Sequence, residues 1–355
     1  MSKDSQQAGR YFEHFKLGDT IDHAVPRTLT AGDASLYQAL YGGRNPLFCA
    51  RPFAQKLGLE DMPLDNWLVF HIVFGKSVAD ISRHAIANLG YAQGRFVAPV
   101  FVGDTLTARS DIIGLRENKS GESGLVMVET CAVNQHGDRV LSYIRWVMVK
   151  KRDHDAPAPE TVWPDVVAPL TPDALPAPRG AYQNWDTAAT GSGLMFDDYA
   201  CGQIIAHGDG VTQEEAEHML ATRFYQNNAA VHFDAHLQSQ SRFGKRLIYG
   251  GHIISHAASM AFSGLANLAG YAGLNCGTHA APCFAGDTLY GCSEVLDKAD
   301  IIGRDDIGAL RLRHVVVKNR RPLDENGDFA LKTEAGDYAD GVVLDVDVWA
   351  YMPRL

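Results

Sequence analysis

Thirteen residues in the second half of the chain, FYQNNAAVHFDAH at 224–236, hold two adjacent asparagines, two histidines and an aspartate. An imidazole exchanges protons near neutral pH, which makes His232 a candidate general base. Asn227 can orient a water through its amide but cannot exchange a proton. Asp234 and, further along, His252 are candidates for a second proton-transfer group. Downstream, YGGHIIS puts Gly250 and Gly251 at the start of a helical pattern. A helix start presents free N–H groups and a partial positive charge, and glycine lets a ligand atom come close. Gly251 is therefore a candidate oxyanion donor, with Gly250 beside it. Just upstream, SRFGKRL supplies Arg242, Lys245 and Arg246, cations suited to phosphates. The pairs His232/His236 and His252/His256 have the spacing of some zinc sites. No glutamate follows the first histidine of either pair and no cysteine pair completes a set, so no metal is expected.

The elements that must position these residues are written twice. APVFVGDTL at 98–106 returns as APCFAGDTL at 281–289, an offset of 183 (281 − 98). YFEHFKLGDTI at 11–21 answers MFDDYACGQII at 195–205, and Tyr41 answers Tyr225, both at an offset of 184 (195 − 11, 225 − 41). Between the copies lies APAPETVWPDVVAPLTPDALPAPRG, with seven of the chain's 15 prolines. It reads as an extended linker over 153–190, separating an N-terminal unit at 1–152 from a C-terminal unit at 191–355. Helical periodicity predicts one long helix per copy, near 67–89 and 250–270, the second dominated by Ala, Ser and Gly. Runs rich in aromatic and β-branched residues follow each helix and predict an antiparallel meander. One helix packed on such a sheet is an α+β layer architecture, and twice over it is a double hotdog.

The first copy has lost the polar cluster. LYGGRNPLFCARP at 40–52 keeps the tyrosine and small residues but has no histidine and no acid. Gly43 and Phe48 stand where Asn227 and His232 stand in the second copy.

Composition narrows the partners. The 355 residues carry a formal charge of −10, which argues against nucleic acid and anionic membranes. No apolar stretch is long enough to span a bilayer. The first residues lack the apolar run of a signal peptide, and the six cysteines form no C-x-x-C pair. The chain reads as cytoplasmic with reduced thiols.

These motifs resemble the MaoC-like family of hotdog R-specific enoyl-CoA hydratases. That family carries Asp-x-Asn-Pro-x-His-x-Asp on a loop, a small-residue helix after a glycine, and a PV-x-x-GDTL strand. Here Asn45-Pro46 survives in the first copy, His232 and Asp234 in the second, and GDTL in both. The family's aspartate position holds Asn227. The longer stretches FHIVFGKSVADIS, RLIYGGHIIS and SEVLDKA resemble the branch acting on a mesaconyl thioester. The resemblance implies reversible addition of water to that thioester, with His232 as base and Gly251 at the thioester oxygen. Coenzyme A arrives as part of the substrate, so no separate cofactor is expected. Arg44, in the emptied motif, is the candidate partner of the substrate's free carboxylate. Two hotdogs in one chain mimic the dimer that single-hotdog relatives need, and a homodimer of chains is a further expectation. An acyl-CoA thioesterase and a non-catalytic acyl-CoA binder are the competing readings.

Overall fold

The computed structural model describes residues 9–166 and 168–354. The first eight residues of the expected N-terminal unit lie outside them. The first copy contributes β1 (Thr20–Thr28), α1 (Ala31–Tyr41), α2 (Asn66–Ser77), β2 (Ala85–Phe96), β3 (Thr105–Glu117), β4 (Ser123–Val133) and β5 (Arg139–Lys150). The second contributes β6 (Ile204–Ala206), β7 (Val211–Thr212), α3 (Glu215–Phe224), α4 (Gly250–Met260), β8 (Tyr271–Thr278), β9 (Thr288–Asp300), β10 (Ile307–Lys318) and β11 (Val342–Pro353).

All the strands join one sheet, in the order β1-β3-β4-β5-β2-β8-β11-β10-β9-β6, with β7 beside β9. The order reads as one five-strand pattern followed by its mirror. The halves meet at β2 and β8, which pair antiparallel, and the register there is reciprocal. Tyr91 faces Gly277 and Gly94 faces Leu274, positions that exchange under the 183-residue offset. Close approach at this seam needs glycine, since a Cβ on Gly94 would stand 2.7 Å from Leu274 Cβ. The fold is a double hotdog.

Both central helices lie in one shared core. Trp67 through Ser77 of α2 are all buried, as befits a helix apolar on every face. In α4 the small residues let neighbours come close: Tyr37 of α1 and His71 of α2 both bond the Ser255 hydroxyl, at 2.9 and 2.8 Å.

Both helices are shorter than their periodicity predicts. After α2 the chain makes a π-turn at Val78–Ser82 and enters β2, so 85–89 form strand rather than helix. The adjacent apolar pair Ala85 and Ile86 suits a helix as well as a strand, and pairing of β2 with β5 decides it. α4 stops at Met260 because Gly264 and Gly270 take φ of 96°, which no right-handed helix tolerates. The strand-like runs fall on β3, β4, β5, β9, β10 and β11 as expected.

The proline-rich segment is packed rather than loose. Leu170, Leu175, Tyr182 and Trp185 are buried in one apolar cluster with Trp349 and Tyr351 of β11. Trp349 Nε1 donates to the Leu170 carbonyl at 3.0 Å, and Val162 pairs with Leu115 of β3. The segment therefore straps strands of both copies.

Candidate functional site

His232 sits in a one-turn helix, Ala230–Phe233, at the end of the polar cluster. Its Nδ1 lies 2.9 Å from the Leu247 carbonyl oxygen. A carbonyl only accepts, so Nδ1 carries the ring proton and Nε2 keeps a free lone pair. Burial pushes the imidazole's pKa down to about 4, with the Leu247 bond opposing. At neutral pH this is a neutral imidazole whose free nitrogen can accept a proton. Asn227 is 2% exposed, and its Oδ1 accepts the Ala229 N–H at 3.2 Å, opening the turn that presents His232.

Opposite this turn is the start of α4. Tyr249 is the capping residue, but its side chain makes no cap; its own N–H is taken by His218 Nε2 at 2.8 Å. Among the described residues no acceptor meets the amides of Gly250 and Gly251. A Cβ on Gly250 would come within 2.3 Å of the His279 ring, and one on Gly251 within 2.4 Å of the Tyr249 ring. Only glycine fits at either place. The His232 and Tyr249 rings are 5.6 Å apart, so base and helix start share one corner. The arrangement offers a proton acceptor beside bare backbone donors, which suits addition next to a carbonyl whose oxygen gains charge.

The structure separates other expected members from this corner. Asp234 is exposed and caps a short helix, accepting the Leu237 N–H at 2.9 Å. His252 is buried with both ring nitrogens engaged, Nδ1 with Tyr41 Oη at 2.8 Å and Nε2 with His256 at 3.3 Å. His252 is thus held on both ring nitrogens, whereas Asp234 has one carboxylate oxygen engaged. Arg44 lies over the Phe262 ring at 4.9 Å, beyond the far end of α4. At 1.5 Å per residue the eleven residues of that helix put it about 16 Å from Gly251. Arg44 thus stands toward the opposite end of α4 from Gly251. Arg44 instead lines a pocket with Gly43, Phe48, Asp65 and Ser255, at the emptied motif.

The expected phosphate-binding cations divide. Arg246 is turned inward and paired with Glu215 at 3.1 Å. Arg242 and Lys245 are exposed and lie over Phe243 and Phe284, each 4.4 Å from the ring centre, and the two rings meet edge to face at 5.3 Å.

Reasoning from sequence missed His218, Tyr249 and His279. The signal for His279 was available: counting back 183 residues from it gives Phe96, an apolar residue replaced by a histidine only in the copy that keeps His232.

Sheet, helices and this corner together define a double-hotdog enzyme of the MaoC-like kind, a carbon–oxygen lyase. The sequence pattern of the mesaconyl-CoA hydratase family matches residues 2–327, and the chain belongs to that family. It is 55% identical to the β-methylmalyl-CoA dehydratase of Chloroflexus aurantiacus, over 98% of this chain and 97% of that one. It is 51% identical to the mesaconyl-CoA hydratase of Cereibacter sphaeroides, over 98% of this chain and 99% of that one. The crystal structure of a MaoC domain protein dehydratase from Chloroflexus aurantiacus superposes with a TM-score of 0.95 at 54% identity, covering 98% and 99% of the two chains. No helix among the described residues is long and apolar enough to cross a membrane.

Proposed function

We propose that the protein adds water reversibly across the C=C bond of mesaconyl-CoA, and in the reverse direction dehydrates β-methylmalyl-CoA. The observation that carries this reading is the His232 Nδ1–H bond to Leu247, which fixes Nε2 as the basic nitrogen beside the bare amides of Gly250 and Gly251. The thioester oxygen docks on those amides. His232 Nε2 takes a proton from water as the hydroxyl bonds to the β-carbon. The C=C electron pair shifts to give an enolate, whose charge the amides and the helix start hold. The His232 imidazolium then returns its proton to the α-carbon, which restores the neutral base and closes the proton balance. With His252 held on both ring nitrogens, in this reading one imidazole serves both transfers. Asn227 orients the water through its NH₂, since its Oδ1 is already used.

The coenzyme A moiety is assigned to the exposed cluster of Arg242, Lys245, Phe243 and Phe284. Phosphates suit the cations and adenine suits a ring face.

The test is to incubate purified protein with mesaconyl-CoA, following the conjugated enoyl absorbance and free thiol together. Hydration removes the absorbance and leaves the thioester intact. Release of thiol would identify a thioesterase, and no change in either signal a binder.

A further inference from the structure

We propose that His279, held from behind by Tyr91 of the other copy, is a further catalytic residue, donating its Nδ1–H to the thioester oxygen beside Gly250 and Gly251. This rests on the hydratase reading above.

The first observation is a broken symmetry. β2 and β8 superpose at an offset of 183, shown by the reciprocal pairs Tyr91–Gly277 and Gly94–Leu274. Under that offset His279 corresponds to Phe96, and Tyr91 to Leu274. In the first copy Phe96 packs on Trp67, the counterpart of Gly251 as second residue of its helix, with ring centres 5.6 Å apart. The fold at this place is thus satisfied by an apolar ring. The second copy has a histidine instead, and the first copy answers with a tyrosine where the repeat has leucine. Both exchanges add polarity, and both face the end of the molecule that holds His232.

The second observation is an orphaned atom. His279 Nδ1 is buried and has no hydrogen-bond partner among the described residues. Buried polar atoms in native proteins are nearly always bonded, and a catalytic role is one of the explanations for an exception. The ring lies against Gly250, whose Cβ position is 2.3 Å from His279 Cε1. Its Nε2 and Nδ1 stand 2.4 and 2.8 Å from the same position, so the ring borders the helix start that carries the Gly250 and Gly251 amides.

The third observation is the contact behind the ring. Tyr91 Oη is 3.4 Å from His279 Nε2. Burial holds the Tyr91 phenol well above its ordinary pKa, so it keeps its proton, and we take that hydroxyl as the donor. Nε2 then accepts and Nδ1 carries the hydrogen. Burial, and after it the neighbouring His232, push the His279 pKa down to about 4, so the donor is a neutral imidazole. A neutral donor strengthens as the oxygen gains charge and leaves the ground state little changed.

The experiment compares wild type with His279→Phe, which installs the first copy's own residue, and with Tyr91→Phe. Losing an oxyanion donor costs roughly 100- to 1000-fold in kcat. His279→Phe should lose that much on mesaconyl-CoA with KM within about threefold, and circular dichroism and melting temperature should match wild type. Tyr91→Phe frees the tautomer and should lose roughly tenfold in kcat. His279→Gln, which keeps an N–H donor, should recover part of the loss. An unchanged kcat in His279→Phe overturns the proposal and leaves the hydratase reading standing. A rise in KM at constant kcat also overturns it, since it would make His279 a ground-state partner of the free carboxylate. If His279→Phe fails to fold, Tyr91→Phe decides by the same kcat criterion. A wild-type protein that hydrates no enoyl thioester brings down the reading and the proposal together.

Discussion

Asp65 and Tyr249 hold the same place in the two copies, one residue before a central helix, and only Asp65 turns its side chain onto the helix end. Its Oδ1 accepts the Trp67 N–H at 2.8 Å, whereas Tyr249 makes no side-chain cap. Where the second copy leaves backbone donors bare, the first has already occupied its own. The first copy therefore differs from the second at the helix start as well as at the missing histidine.

The Asp65 carboxyl should weaken the fold at neutral pH. Burial pushes its pKa up from 3.8 to about 6, against the bonds from Trp67, Leu68 and Tyr37. A folded pKa above the unfolded one means that the folded state binds the proton more tightly. Stability therefore falls as pH rises from about 4 to about 6, and stays lower above that. Asp65→Asn keeps a capping oxygen and removes the ionisation. The variant should be about 1–3 kcal/mol more stable at pH 7, with the gain vanishing toward pH 4. Melting curves at the two pH values check this. A variant less stable at pH 7 would show that the fold prefers the carboxylate.

Restoring the motif alone should not revive the first copy. In a His232→Ala background, Gly43→Asn with Phe48→His supplies both side chains, yet Asp65 still covers the helix start. Turnover of mesaconyl-CoA should stay at the His232→Ala level. Recovery above about tenfold would show that the cap is no barrier.

His232→Ala should lower kcat by roughly a hundredfold or more, the scale for losing a general acid–base group. With its pKa at about 4, the base is already neutral at pH 5. The kcat/KM profile should therefore run level from pH 8 to about pH 5 and fall only below that. An acid limb near 6.5 would mean that the site is wetter than its geometry shows. Asn227→Asp, which restores the broader family's residue, should lose activity, because a carboxylate has no N–H for the water.

Much of this was legible in the sequence because it repeats. Two copies of GDTL, an emptied motif and a proline-rich crossing gave the layers and the likeness of the halves. Helix ends were not legible: the adjacent apolar pair Ala85 and Ile86 suits a helix as well as a strand, and only the strand partner β5 decides between them. The site was half legible. His232, Asn227 and the two glycines are local in sequence and lie together. His252 was a candidate for the second proton-transfer group, but Tyr41 and His256, one of them from the other copy, engage both its nitrogens. Nothing in the local sequence carries that contact.

Arg44 shows the same limit. Its place beside Gly42 and Gly43 suggested a carboxylate partner, yet it lies at Phe262, past the opposite end of α4. Arg44→Ala should leave kcat/KM for mesaconyl-CoA within about twofold, since screening over about 16 Å weakens any charge effect. A loss of tenfold or more, with KM raised, would return Arg44 to the substrate.

The exposed aromatic–cation cluster gives the last prediction. Lys245 lies over Phe284, where Lys318 also points from 5.7 Å, and Arg242 lies over Phe243. Lys318 is tied to Asp287 at 3.3 Å, whereas Arg242 and Lys245 form no ion pair among the described residues. Two exposed cations on a pair of rings, in a chain of net charge −10, suit an anionic ligand with a planar base. Arg242→Ala and Lys245→Ala should each raise KM for mesaconyl-CoA by roughly three- to tenfold and leave kcat unchanged, the pattern of a ground-state contact. The effect should shrink with added salt, as exposed charge pairs are screened. A mesaconyl thioester of pantetheine, which lacks the nucleotide and its phosphates, separates this role from any on the acyl group. The variants should handle it as wild type does. Equal losses on both thioesters would place the two cations at the acyl end, and no loss on either would move the coenzyme A site elsewhere.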